Sequence, residues 1–78
     1  MEHLTISEGG QFWVRIVVRA EEAEEMLGTW LCEVSLYLRN EGSPPKDLVD
    51  RSTMSDFESA ELALQHGKIL GKRMVTGV

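Results

Sequence analysis

Two imidazoles, His3 and His66, and one thiol, Cys32, are the side chains here that could carry acid–base or nucleophilic chemistry near neutral pH. A catalytic cysteine needs an accessible, electropositive setting and usually a histidine beside it, and no spacing brings either imidazole to Cys32. Cys32 instead falls on the apolar side of an alternating run, where a thiol behaves as a small hydrophobe. Two histidines, a cysteine and scattered carboxylates give no recognisable zinc spacing. Glu21, Glu22, Glu24 and Glu25 lack the alternate spacing and the glycine of a calcium loop, and read as a solvated connection. Gly67-Lys68-Ile69-Leu70-Gly71-Lys72-Arg73 has the look of a phosphate loop. Its glycines stand one residue too close, Arg73 occupies the Ser/Thr position, and the segment lies within a helical pattern. With no Ser/His/Asp set and little depth for a pocket of about 300 Å³, the chain is predicted to be no enzyme. No catalytic residue, cofactor or metal ligand is assigned.

Recognition chemistry is better represented. Trp13, Arg15, Val17 and Arg19 alternate along one run, and Leu31, Glu33, Tyr37 and Arg39 along another. On an open sheet face these could stack on bases and hold phosphates, as single-stranded RNA readers do. They equally suit a protein interface, where Trp, Tyr and Arg are the commonest anchors. The plainest reading is a solvated face with cross-strand pairs such as Arg15 with Glu33. A net charge of -5 disfavours nucleic acid. The candidate interface is therefore Trp13, Arg15, Val17, Arg19, Leu31, Tyr37 and Arg39, with Leu62 and Ile69 on the outer helix surface as the alternative.

The elements that must position these residues follow from periodicity. Leu4 and Ile6 alternate before Glu8-Gly9-Gly10, a hairpin signal. Phe12, Val14, Ile16 and Val18 share one face of a strand over about residues 11–20. Trp30, Cys32, Val34, Leu36 and Leu38 share one face of a second, over about residues 29–39. Loops are predicted at about 20–28 and 40–47, the latter containing Pro44-Pro45, with a short edge strand over Leu48–Thr53. A helix runs to about residue 75 from a cap at Ser55 or Ser59. At the helical period Phe57, Ala60, Ala63, Leu64, Gly67, Leu70, Gly71, Met74 and Val75 share its buried arc, with Ala60, Gly67 and Gly71 at the midline, and His66 lies on the solvent side opposite Phe57. The predicted architecture is a two-layer α+β domain, a three- or four-stranded antiparallel meander with one C-terminal helix on one face.

Seventy-eight residues make one small domain, in the range where a core alone supplies roughly 3–5 kcal/mol. One cysteine excludes an internal disulfide, so self-association as a homodimer gains weight, with another protein as the alternative partner. No apolar run approaches the ~20 residues of a membrane helix, and the first residues lack the pattern of a signal peptide, so a cytoplasmic location is expected.

The pattern Phe57-x-Ser59-x-x-x-Ala63-x-x-x-Gly67 after a strand pair resembles the helix entry of small uncharacterised bacterial domains built from a β-meander and a C-terminal helix. The layout is also similar to the partial double-stranded-RNA-binding-like fold of antitoxins of the HicB type. The resemblance implies the fold and transfers no residue role. The expected function is a small binding or regulatory module acting through protein contact or self-association. Single-stranded RNA binding and service as an accessory subunit of an enzyme are the alternatives.

Overall fold

A computed structural model describes residues 1–78. Four strands, β1 (Glu2–Ile6), β2 (Phe12–Ala20), β3 (Trp30–Leu38) and β4 (Asp47–Phe57), precede one helix, α1 (Ala60–Thr76). The strands form one antiparallel sheet in the order β1-β2-β3-β4, so the domain is the two-layer α+β meander that the periodicities predict. The β1–β2 turn is closed by Ser7: its Oγ accepts from the Phe12 N–H at 3.1 Å, and Gly9 and Gly10 take the positive φ values that the turn requires. The glutamate-rich connection contains one 3-10 turn, Glu24–Met26.

One side of the sheet is the core. Val14, Ile16 and Val18 on β2 meet Cys32, Val34 and Leu36 on β3, with Ala63 and Met74 from α1 above them. Burial pushes the Cys32 thiol up from its ordinary pKa, an effect only partly offset by the Met54 backbone, so the sulfur stays protonated and inert. The helix comes down on β2 and β3 because two of its midline residues have no side chain. A Cβ on Gly67 would stand 2.8 Å from Ile16 Cγ2, and one on Gly71 would stand 2.9 Å from Val14 Cγ1.

Three expectations are corrected. β4 is no short edge strand over Leu48–Thr53 but spans eleven residues, Asp47–Phe57. Register shifts between Leu36 and Tyr37, and between Trp30 and Cys32, break its period-two pattern and hide it from sequence. Second, Phe57 and His66 do not lie on opposite sides of the helix: of the two candidate caps it is Ser59 that serves, its Oγ accepting from the Leu62 N–H at 3.1 Å. Phe57 therefore ends β4, paired with Trp30, and its ring lies 5.1 Å from that of His66, so the two are neighbours. Replacing Ser59 with alanine should cost about 1 kcal/mol, read as a lowered urea midpoint, whereas Ser55→Ala should leave the midpoint unchanged.

The third correction concerns depth. The helix packs across β3, β2 and, less extensively, β4, leaving β1 largely outside its footprint. An open groove of about 640 Å³ results between β1 and α1, where too little depth for a pocket was expected. The inward positions of β1 are His3 and Thr5, opposite Ile16 and Val14, too polar to draw the helix over them.

Candidate interaction surface

The strand registers arrange the other face of the sheet in transverse rows. Ile6, Trp13, Tyr37 and Leu48 are successive partners across all four strands and form an apolar row near one end. The next row is Leu4, Arg15, Ser35 and Arg51; the one after it is Glu2, Val17, Glu33 and Thr53. Arg19 and Leu31 pair beyond them. α1 does not cover this face, but its centre is not open: Tyr37 and Ser35, expected to be exposed, are only 9% and 2% exposed, and Pro45 of the 40–47 connection lines a small cleft with Leu4, Arg15 and Tyr37. Ile6, Leu4 and Leu48 are 46%, 44% and 48% exposed, an unusual run of large apolar side chains on one open surface.

The structure brings Trp13, Arg15, Tyr37 and Arg39 into one patch. The Arg39 guanidinium lies 5.8 Å from the Trp13 ring centroid and donates to Gly10 O at 3.2 Å. Trp13 is half-buried, and its indole Nε1–H is shielded with no acceptor in the chain. Val17 sits between the charged residues of the third row, whereas Arg19 and Leu31 stand apart at the far end. Leu62 and Ile69 are exposed on the outer side of α1, away from the sheet.

The expected pairing of Arg15 with Glu33 does not occur. Arg15 lies diagonal to Glu33 on β3 and equally diagonal to Glu2 on β1, and it is Glu2 that it meets, while Glu33 is taken by Arg51 from its other side. Arg15 Nε donates to Glu2 Oε1 at 2.7 Å, while Arg51 Nε stands 3.5 Å from Glu33 Oε1. Arg51 also donates to Ser35 Oγ at 2.9 Å and, through Nη2, to Tyr37 OH at 3.2 Å. Arg51, Ser35 and Glu2 are thus members of the patch that the sequence reading missed. Leu4 and Ile6 were visible as an alternating pair; counting register back through the Gly9-Gly10 turn would have placed Ile6 beside Trp13.

These ion pairs set the charge of the patch. Burial alone would push the Tyr37 phenol up, but hydrogen bonds from Arg15 and Arg51, the Arg51 charge and the Ser35 hydroxyl hold it below its ordinary value. Arg15 is held above its ordinary value by its hydrogen bonds to Glu2 and then Tyr37. Tyr37 is the chain's one tyrosine, so its ionisation can be followed alone by ultraviolet absorbance. Arg51→Met removes a group that favours the phenolate, and the titration midpoint should move upward.

The fold and this surface define the chain as a small α+β domain whose helix covers one face of the sheet only. No protein family, curated protein or solved structure matches it. None of its helices is long and apolar enough to cross a membrane, and no group of three or more His, Cys, Asp or Glu side chains could hold a metal ion.

Proposed function

We propose that this chain is a small non-enzymatic interaction module that works by self-association through the open face of its sheet. The observation that carries this reading is the row Ile6, Trp13, Tyr37 and Leu48, whose outer members Ile6 and Leu48 are large apolar side chains about half exposed on the face away from α1. β2 and β3 are nine residues each, so four strands present a face of roughly 19 Å by 30 Å. With side-chain relief this approaches the ~800 Å² per partner of a standard interface. A two-fold axis through the face would set the apolar row against its own copy, with the Arg15–Glu2 and Arg51–Glu33 pairs at the rim. The free thiol of Cys32 agrees with a reducing, cytoplasmic setting.

Single-stranded RNA is less well supported, because Arg15 and Arg51 already have carboxylate partners and the chain is net acidic. A different protein, such as an enzyme to which this chain is an accessory subunit, would use the same surface. Light scattering over the micromolar range should give twice the monomer mass of 8.8 kDa; the monomer mass throughout would overturn self-association.

A further inference from the structure

We propose that the groove between β1 and α1 binds a monoanionic amphiphile, an alkyl or aryl carboxylate whose apolar body lies along the groove and whose carboxylate meets the two lysines on its lip. The groove lies on the helix side of the sheet, so this assignment is independent of the face that mediates self-association.

The floor is apolar: Val14 and Ile16 from β2, with Val75 and the bare backbone of Gly71 from α1. Its volume of about 640 Å³ falls within the ~300–1,000 Å³ of ordinary small-molecule sites. Lys68 and Lys72, four residues apart and so on one side of the helix, line it and are exposed. Neither has a carboxylate within ion-pair distance. On the β1 wall, His3 Nε2 is shielded from solvent without a hydrogen-bond partner in the chain, a state that a buried polar nitrogen rarely keeps. A carboxylate or a water it holds would satisfy that nitrogen.

Charge decides between a monoanion and a phosphate. Lys68 is at the middle of α1 and Lys72 four residues before its end, so no helix N-terminus adds its amides or dipole to the site, and Glu8 lines the same groove. The first feature withholds support from a second negative charge and the second opposes it. The Thr76 hydroxyl already donates to the Lys72 carbonyl at 2.7 Å, and the walls offer no arginine fork. An apolar floor with two unpaired ammonium groups therefore matches a fatty or aromatic acid better than inorganic phosphate.

The test is a titration of the isotope-labelled chain followed by amide chemical shifts, with octanoate, octan-1-ol and inorganic phosphate as separate probes. Octanoate should shift the amides of Thr5, Val14, Gly71 and Val75, and octan-1-ol should shift the same set at about tenfold higher concentration. The double variant K68M/K72M, both positions being exposed and tolerant, should weaken octanoate about tenfold and leave octan-1-ol unchanged. Three results would overturn the proposal: no octanoate shifts at millimolar concentration, shifts confined to the opposite sheet face, or octanoate binding indifferent to K68M/K72M. Phosphate binding as tightly as octanoate would overturn the assignment to an amphiphile.

Discussion

Gly67→Ala should lower the stability of the domain by about 1–3 kcal/mol, although helix propensity alone favours alanine over glycine by about 1 kcal/mol. The sign follows from where the new methyl would go. It would stand 2.8 Å from Ile16 Cγ2, and that atom belongs to a β-branched side chain only 3% exposed, with its rotamer fixed by strand and core. Nothing flexible lies there to give way, so α1 must lift off β2 or Ile16 must leave its rotamer. Lifting the helix also loosens its contacts with Cys32 and Val34, which the same Cβ would meet at 3.6 Å and 3.7 Å. Gly71→Ala should act alike through Val14 Cγ1 at 2.9 Å. Gln65→Ala, on the exposed side of the same helix, should be neutral within about 0.5 kcal/mol. In a domain of this size a loss of 1 kcal/mol shifts Tm by about 4–8 °C, so thermal unfolding separates the outcomes. An unchanged or raised Tm for Gly67→Ala would show that helix and sheet can part enough to admit the methyl without loss, and that the close approach at Ile16 is not what requires glycine.

The same glycines show how much of the fold was legible. Small residues at Ala60, Ala63, Gly67 and Gly71 imply a helix pressed onto a sheet, and the alternation in β2 and β3 supplies that sheet. What sequence concealed lies where period two breaks. β4 pairs with β3 from Asp47 to Phe57 but skips Val49, Ser55 and Asp56 at two register shifts, which leaves Arg51 opposite Ser35 with no apolar alternation to announce it. Arg51 is the residue that ties Glu33, Ser35 and Tyr37 together, so missing the strand meant missing the centre of the patch. Ion pairs were likewise beyond reach. Glu2 and Glu33 flank Arg15 at the same diagonal offset on either side, and Arg51, on the strand the sequence concealed, competes for Glu33, so the pairing could not be read before β4 was known. The groove beside β1 had a signal that was passed over: His3 and Thr5 alternate with Leu4 and Ile6, so this strand's apolar side faces away from the helix, opposite in sense to β2.

Trp13→Glu should abolish the dimer while leaving the subunit folded. Trp13 lies within the apolar row, between Ile6 and Tyr37, and a two-fold axis near the row brings it close to its own symmetry mate. A glutamate there would face a second glutamate across a desolvated contact, and neither would retain the water that an isolated subunit allows it. A buried aromatic anchor is worth at least about 2 kcal/mol of association, so dissociation should strengthen by about thirtyfold or more. Within one subunit the change is milder. The new carboxylate would sit beside Arg39 and Arg15, which can neutralise it, while the core on the opposite face is untouched. Light scattering should therefore report the monomer mass, and the far-ultraviolet dichroism should remain that of the folded chain. Leu48→Arg, at the far end of the same row, should weaken the dimer in the same direction. If the dimer survives both changes and is lost in Leu62→Arg or Ile69→Arg, the contact belongs to the outer surface of α1, and the open face of the sheet is not what holds two copies together.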